Sequence, residues 1–312
     1  MDKHFLLFPG QGTQSVGMGR ELAAGPEVCR ALFARASAVL GFDLLKLCLE
    51  GPIEELTRSC NTQPAVFVVS AVARAALGHE VGRPLPIDGA AGHSLGEWSA
   101  LYEAKALSFE DMVRVLRARG TFMQEACDAA PGGMLAVIGL PAEKCAEIAA
   151  QAGIEVANYN SPLQTVLSGP KDRIPAAADL AKAAGAKRAL PMNVAGAFHS
   201  SLMQPAADRF AEFLAGVPIQ PTAIPVWSNV TGRPHGDPAS IRDLMIRQIV
   251  SPVRWTDCMA GMAAAGMTHA FECGPGTVLA GLAKRMDPPV PVTNIFDLAG
   301  AVEAAKMFAQ TN

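Results

Sequence analysis

No Cys-x-x-Cys pair occurs in this chain, and its seven cysteines (29, 48, 60, 127, 145, 258, 273) are scattered and odd in number. That pattern argues against a disulfide frame and a zinc site and fits thiols kept reduced in a cytosol. The six histidines are equally dispersed, so no metal is expected. Charge is sparse as well: 18% of residues are Asp, Glu, Lys or Arg, the formal net charge is −3, and no run of one sign occurs. A nucleic-acid binder would carry a basic patch or stripe, and the sequence has none. Long apolar runs are also missing. The longest, Ala65–Leu77, is interrupted by Ser70 and Arg74 and reads as a buried helix, with no membrane span expected. The opening MDKHFLLFPGQG has too short an apolar run for a signal peptide, and that run ends at Pro9. Low-complexity segments and repeats are absent.

What is present is ample core-forming material. Half of the 312 residues are hydrophobic, enough for one large domain or two unequal ones. Short apolar runs alternate with longer Ala-rich stretches, which predicts an α/β protein. Strands are expected at His4–Phe8 and Asp88–Ala91, with helices at Gly96–Glu103 and Phe109–Ala126, the latter capped by Ser108. After Ala129-Ala130-Pro131-Gly132-Gly133 the order becomes β-α-β-β-α-β up to Met192, the split ferredoxin-like unit. The expected architecture is therefore a large hydrolase-like α/β core with a parallel sheet (1–127 and 197–312), interrupted by a small ferredoxin-like α+β subdomain (128–196).

The stretch Gly92-His93-Ser94-Leu95-Gly96 contains G-x-S-x-G between a predicted strand and a predicted helix. A strand that feeds a helix through a tight turn leaves its serine exposed at the helix N-terminus, and small neighbours let the chain close around it. Backbone N–H groups and the helix dipole there favour a developing oxyanion. Ser94 is thus the candidate nucleophile, and it needs a base. His93 adjoins it but should point elsewhere. His4, His79, His235 and His269 occupy a chain start, a helix end, a loop and a strand start. His199 lies at a strand-to-helix junction, where α/β folds place chemistry. In the usual α/β-hydrolase order the histidine comes last, after an acid, and here several elements follow His199. Arg119 should return to the level of Ser94, because the helix from Phe109 retraces the outward run of the helix after Ser94 at about 1.5 Å per residue. A guanidinium there would grip a substrate carboxylate.

Several further stretches stand in a recognisable order: Phe8-Pro9-Gly10-Gln11-Gly12, Thr62-Gln63-Pro64-Ala65, Arg119-Gly120, Asn158-Tyr159-Asn160-Ser161-Pro162, Phe198-His199-Ser200, Arg247-Gln248, Ser251-Pro252-Val253 and Glu272-Cys273-Gly274-Pro275-Gly276. Together with the serine motif, the chain resembles the malonyl-CoA:acyl carrier protein transacylase family over nearly its whole length. The resemblance implies Ser94 as nucleophile, His199 as base, and backbone N–H groups of Gln11 and Leu95 as the oxyanion hole. It also implies Arg119 on the malonyl carboxylate and a backbone carbonyl near Gln248 in place of the acid. Phe198, Gln63 and Asn160 match motif positions near the family's pocket, the last two suited to structural hydrogen bonds. No bound cofactor is implied; malonyl-CoA is a substrate.

Ala197-Phe198 before the histidine resembles the malonyl-selective type, since a phenylalanine crowds an α-methyl branch. Thr13 and Trp98 depart from the family's common residues; Trp98 is expected to pack in the core. The expected partner is acyl carrier protein, with Lys187, Arg188, Lys284 and Arg285 as candidate docking residues. With no linker or flanking domain, the chain reads as free-standing and cytoplasmic. Three other readings stand beside malonyl transfer for fatty acid synthesis: a trans-acting polyketide acyltransferase, an editing hydrolase of acyl thioesters, and a non-catalytic docking subunit.

Overall fold

The computed structural model describes residues 2–309 of the chain. Its strands are β1 (His4–Phe8), β2 (Gly89–Gly92), β3 (Gly132–Ile138), β4 (Glu155–Ser161), β5 (Gln164–Pro170), β6 (Arg188–Pro191), β7 (Val226–Trp227), β8 (His269–Cys273) and β9 (Val292–Ile295). They form two sheets. The larger runs β7-β2-β1-β8-β9, all parallel. The smaller runs β4-β5-β3-β6, all antiparallel. The protein is thus mixed α/β, and the order of the smaller sheet is that of the split β-α-β unit.

Every residue of β1 is buried, as a central parallel strand covered by helices on both faces requires. The register of β1 against β2 positions the site. Phe8 pairs with Gly92, so the loops leaving β1 and β2 start side by side, and His93 donates its N–H to the Phe8 carbonyl. One face of this sheet is covered by the helices Ser59–Val81 and Phe109–Ala129, the other by Trp255–Ala264 and Val278–Ala283.

The Ser59–Val81 helix is longer than the expected Ala65–Leu77 and runs through Pro64. A proline inside a helix leaves the carbonyl four residues earlier without its donor. Here that carbonyl, on Cys60, accepts from Arg117 Nη1 at 2.9 Å, so the helix continues. By length and composition this helix passes for a membrane span, but most of it is buried in the core.

In the small sheet, Leu135, Val137 and Leu167 pack against the helices Ala142–Ala152 and Ile174–Ala183. The other face, with Met134, Ala136 and Val166, lines a cavity shared with Gln11 and Ser94, which follow β1 and β2 of the large sheet. The edge strand β4 is stitched to the large half by Val253, which donates to the Ala157 carbonyl and accepts from the Tyr159 N–H. The chain enters and leaves this unit at adjacent points: a side chain on Gly132 would stand 2.5 Å from the Ala197 nitrogen, and one on Gly196 2.4 Å from Cys127 Sγ.

Two stretches were not anticipated. Residues 20–57 hold four short helices, Arg20–Ala24, Glu27–Leu40, Leu44–Glu50 and Ile53–Thr57, and the chain closes with β9 and the helix Leu298–Ala309. Their signals are local caps: Gly41 closes one helix at φ 76°, and Asp43 opens the next by accepting from Lys46 N–H. The edge strand β7 is only two residues long.

Candidate active site

The serine turn is built by contact between glycines. A Cβ on Gly92 would lie 1.9 Å from the backbone of Gly96, and a Cβ on Gly96 would lie 2.1 Å from the Phe8 carbonyl oxygen. Neither glycine has a positive φ. Close approach, not conformational freedom, is what demands them. The strained residue is Ser94 itself, at φ 52°, ψ −108°. Among described non-glycine residues only Ser94, Lys105 and His199 have positive φ, and such backbone gathers at sites where surrounding structure pays for it.

Ser94 Oγ and His199 Nε2 stand 2.8 Å apart. The other ring nitrogen, Nδ1, is 2.9 Å from the Gln248 carbonyl and 3.2 Å from the Ser251 carbonyl. Carbonyls only accept, so Nδ1 carries the proton and Nε2 is left as a bare acceptor for the serine hydroxyl. Burial, reinforced by the nearby Arg119 cation, holds His199 down to about 3 against the pull of those two carbonyls. The imidazole is neutral at pH 7, the form a general base requires.

Arg119 lies in the helix Phe109–Ala129, whose N-cap Ser108 accepts from the Asp111 N–H at 3.1 Å. The residue is 1% exposed. Nη1 donates to Gln63 Oε1 at 2.8 Å, Nη2 donates to Gln248 Oε1 at 2.9 Å, and Nη2 stands 3.4 Å from Ser94 Oγ. Burial brings its pKa down to about 10, opposed by the charge of Glu97, so it stays a cation. Each Nη has a second N–H, and Nε has no partner among the described residues. The group is held by two neutral amides and retains donors for an incoming carboxylate.

The Ser94 N–H is taken by Asn229 Oδ1 at 2.7 Å. Leu95 is the first helical residue, and a first-turn N–H has no intrahelical acceptor. Gln11 arrives from the end of β1. The approach depends on Gly10, where a Cβ would meet the His93 carbonyl oxygen at 2.5 Å. Gly12 serves differently: it has open space around it and a φ of 102°.

A cavity of about 340 Å³ lies between the two sheets and reaches Gln11, Ser94, Arg119, Asn160, Phe198 and His199. Its remaining walls are chiefly apolar, with Met123, Met134, Met192 and Leu279 among them. Of the nine expected site residues, Gln63 and Gln248 stand behind the reacting groups. Gln63 is fully buried behind Arg119 and does not reach the cavity; it is a support of the guanidinium, not a substrate contact. The Gln248 side chain likewise stands behind Arg119, while its backbone carbonyl meets His199. Asn160 is on the wall, with its Oδ1 2.9 Å from His93 Nε2. Trp98 is fully buried against Phe210, away from the cavity. Thr13 is on the wall, donating to the Gly10 carbonyl.

Two site residues, Asn229 and Glu97, are not among the candidates read from the sequence, and His93, expected to point elsewhere, lines the cavity beside Ser94, its pKa pushed down by burial. Asn229 fixes the serine backbone. Glu97 is fully buried below the serine, its carboxylate 2.7 Å from His235 Nε2. The glutamate was visible in the serine motif, but nothing in its spacing told that it would be inside. Of the four basic candidates, Arg285 donates to Gln164 on the cavity rim. Arg188 pairs with Ile138, which pairs with Gln164, so it shares that row of the small sheet. Lys187 precedes β6 and packs over Gly139, and Lys284 is exposed.

Residues 5–285 match the family model of the acyl transferase domain. The chain is 45% identical to the malonyl CoA-acyl carrier protein transacylase of Salmonella typhimurium, over 92% of this chain and 93% of that protein. It is 42% identical to the corresponding protein of Bacillus subtilis, over 92% and 91%. Among solved structures, a malonyl-transacylase in complex with a holo type II polyketide acyl-carrier protein superposes with a TM-score of 0.93 at 38% identity, covering 98% of this chain and 100% of that one.

Proposed function

This chain belongs to the acyl transferase family, among the malonyl-CoA:acyl carrier protein transacylases, and from that premise we propose that it moves malonyl from coenzyme A to carrier protein through an ester on Ser94. The observation that carries the reading is the convergence of Ser94 Oγ, His199 Nε2 and Arg119 Nη2 within 3.4 Å of the hydroxyl.

In the forward half-reaction His199 Nε2 takes the hydroxyl proton as Ser94 Oγ bonds to the thioester carbonyl carbon. The carbonyl oxygen becomes an oxyanion facing the N–H groups of Gln11 and Leu95. Its collapse breaks the C–S bond, and the coenzyme A sulfur leaves with the proton from His199. The carrier's phosphopantetheine thiol then repeats these steps in reverse, giving its proton to His199 and taking the acyl group. A bound malonyl carboxylate also cancels part of the Arg119 field, which adds to burial in keeping His199 from accepting a proton. The cation thereby selects the substrate and answers it. An editing hydrolase of simple acyl groups has no use for a buried guanidinium, which counts against that reading; an intact serine–histidine pair counts against an inert scaffold.

For the carrier we assign the open row of the small sheet and the cavity rim. Arg188 and Arg285 supply positive charge there, and the exposed Leu190, Met192 and Val278 supply apolar contact. The free cysteines among the described residues support a cytoplasmic setting.

Intact-mass spectrometry tests the central step. Malonyl-CoA should add one malonyl group to the wild type and none to Ser94→Ala, and unloaded carrier protein should then remove it. An adduct that water clears as fast with carrier as without would make the protein a hydrolase.

A further inference from the structure

Glu97 is a buried carboxylate that the transfer steps do not use. It is fully buried in the first turn of the helix Leu95–Glu103. Oε1 faces His235 Nε2 at 2.7 Å; Oε2 accepts from the Asn229 N–H at 3.1 Å and from Gln248 Nε2 at 2.5 Å. The carboxylate oxygens thus face donor groups from three residues, in the first turn of a helix, where the dipole favours an anion. A buried charge calls for a counter-charge. Two cationic or potentially cationic groups stand in reach: His235, directly at Oε1, and Arg119, with the Gln248 side-chain amide between them, whose Oε1 accepts from Arg119 and whose Nε2 donates to Glu97.

The orientation of that amide is forced. Nε2 faces two groups that only accept, Glu97 Oε2 and the Ser94 carbonyl at 3.0 Å; Oε1 faces a guanidinium that only donates. A flipped amide would set oxygen against oxygen and N–H against N–H. Gln248 also carries the carbonyl that holds His199 Nδ1, and Asn229, the other residue bonded to Glu97 Oε2, holds the Ser94 N–H.

We propose that Glu97 is a positioning residue that sets malonyl selectivity: through the Gln248 amide it fixes Arg119 over the serine and balances its charge until a substrate carboxylate arrives. The proposal rests on the transfer reading. It predicts that loss of the carboxylate harms malonyl-CoA more than acetyl-CoA, because only malonyl uses the guanidinium. A role in folding or in placing Ser94 would lower both alike.

The test compares kcat/KM for malonyl-CoA and acetyl-CoA, carrier protein saturating, in wild type, Glu97→Gln, Gln248→Met and the double variant. Gln248→Met keeps the backbone carbonyl for His199 and removes only the amide. Each single variant should lower the malonyl-to-acetyl ratio by about tenfold or more, the worth of one charge-assisted hydrogen bond. The double variant should lose no more than the worse single, because both act on one path. Equal losses on both substrates, or ratio losses that multiply in the double variant, would overturn the proposal. If Glu97→Gln does not fold, an unchanged ratio in Gln248→Met alone overturns it. A wild type with no malonyl preference would instead sink the transfer reading beneath it.

Discussion

The large sheet meets the site with its strand ends, the small sheet with a face. Phe8 and Gly92, paired in register, release the chain into the loops that carry Gln11 and Ser94. The residues there present backbone N–H groups, a strained serine and a helix start. From the small sheet come Met134, Ala136, Val166 and Asn160, side chains standing on a pleated surface. Strand ends deliver directed backbone dipoles at fixed positions, which stabilise charge as it develops. A sheet face delivers area and shape, which suits recognition. Chemistry is thereby concentrated in one half and acyl or carrier contact shared with the other.

The severest way to break this division is at the strand end. Gly92→Ala would drive a Cβ to within 1.9 Å of the Gly96 backbone, and no side-chain rotation relieves a clash between two main chains. The variant should lose about 4 kcal/mol or more of stability, the range that marks a gross mechanism. Thermal unfolding checks this, and a loss below about 1 kcal/mol would mean the turn is not held by that contact.

Next is the cation between the halves. Arg119→Ala should reduce kcat/KM for malonyl-CoA by roughly 10²-fold or more, two charge-assisted hydrogen bonds' worth. Acetyl-CoA should be spared or improved, because burial still depresses His199 but the added contribution of the Arg119 charge goes with the guanidinium. Equal losses on the two substrates would remove the carboxylate clamp.

A pH profile sharpens the comparison with a smaller effect. The folded value of His199 is about 3, below its ordinary 6.5, so the free base persists through the mildly acidic range. kcat/KM for malonyl-CoA should therefore stay within a fewfold from pH 8 to pH 5. An acid limb centred near 6.5 would contradict the buried, neutral imidazole. The same shift has a stability sign. Below pH 6.5 the unfolded chain binds a proton that folded His199 refuses, so this contribution is intact above 6.5 and lost as pH falls toward 3.

Smallest is the recognition face. Arg188→Glu with Arg285→Glu should raise the KM for carrier protein several-fold, the scale of rim charges that steer association. Formation of the malonyl adduct should not change. A slowed adduct, or an unmoved KM, would take the carrier off this face.

Much of this was legible in advance because it is local. The serine turn spans five residues, and its glycines touch each other and the neighbouring strand end, so their spacing carries the reason for them. Ser108 capping its helix was readable from its own three-residue reach to Asp111. The return of Arg119 followed from helix rise and one reversal. The β-α-β-β-α-β order emerged from alternating apolar periods. By contrast, the apolar run Ala65–Leu77 marks only part of its helix, because the donor that lets the helix pass Pro64, Arg117, is 57 positions from the Cys60 carbonyl it satisfies.

By itself, the sequence determined which residues can react and roughly where each sits on its own strand or helix, because periodicity, capping and close glycine contacts act over a few residues. Only the tertiary structure decided how the reacting groups are held. Glu97 meets Asn229 and Gln248 across 132 and 151 positions, and Gln63 finds in Arg119 the partner for its structural hydrogen bond 56 positions away. Buried polar side chains must find partners wherever packing brings donors and acceptors together. That requirement leaves no periodic trace along the chain, so the network became visible only once the sheets had been stacked.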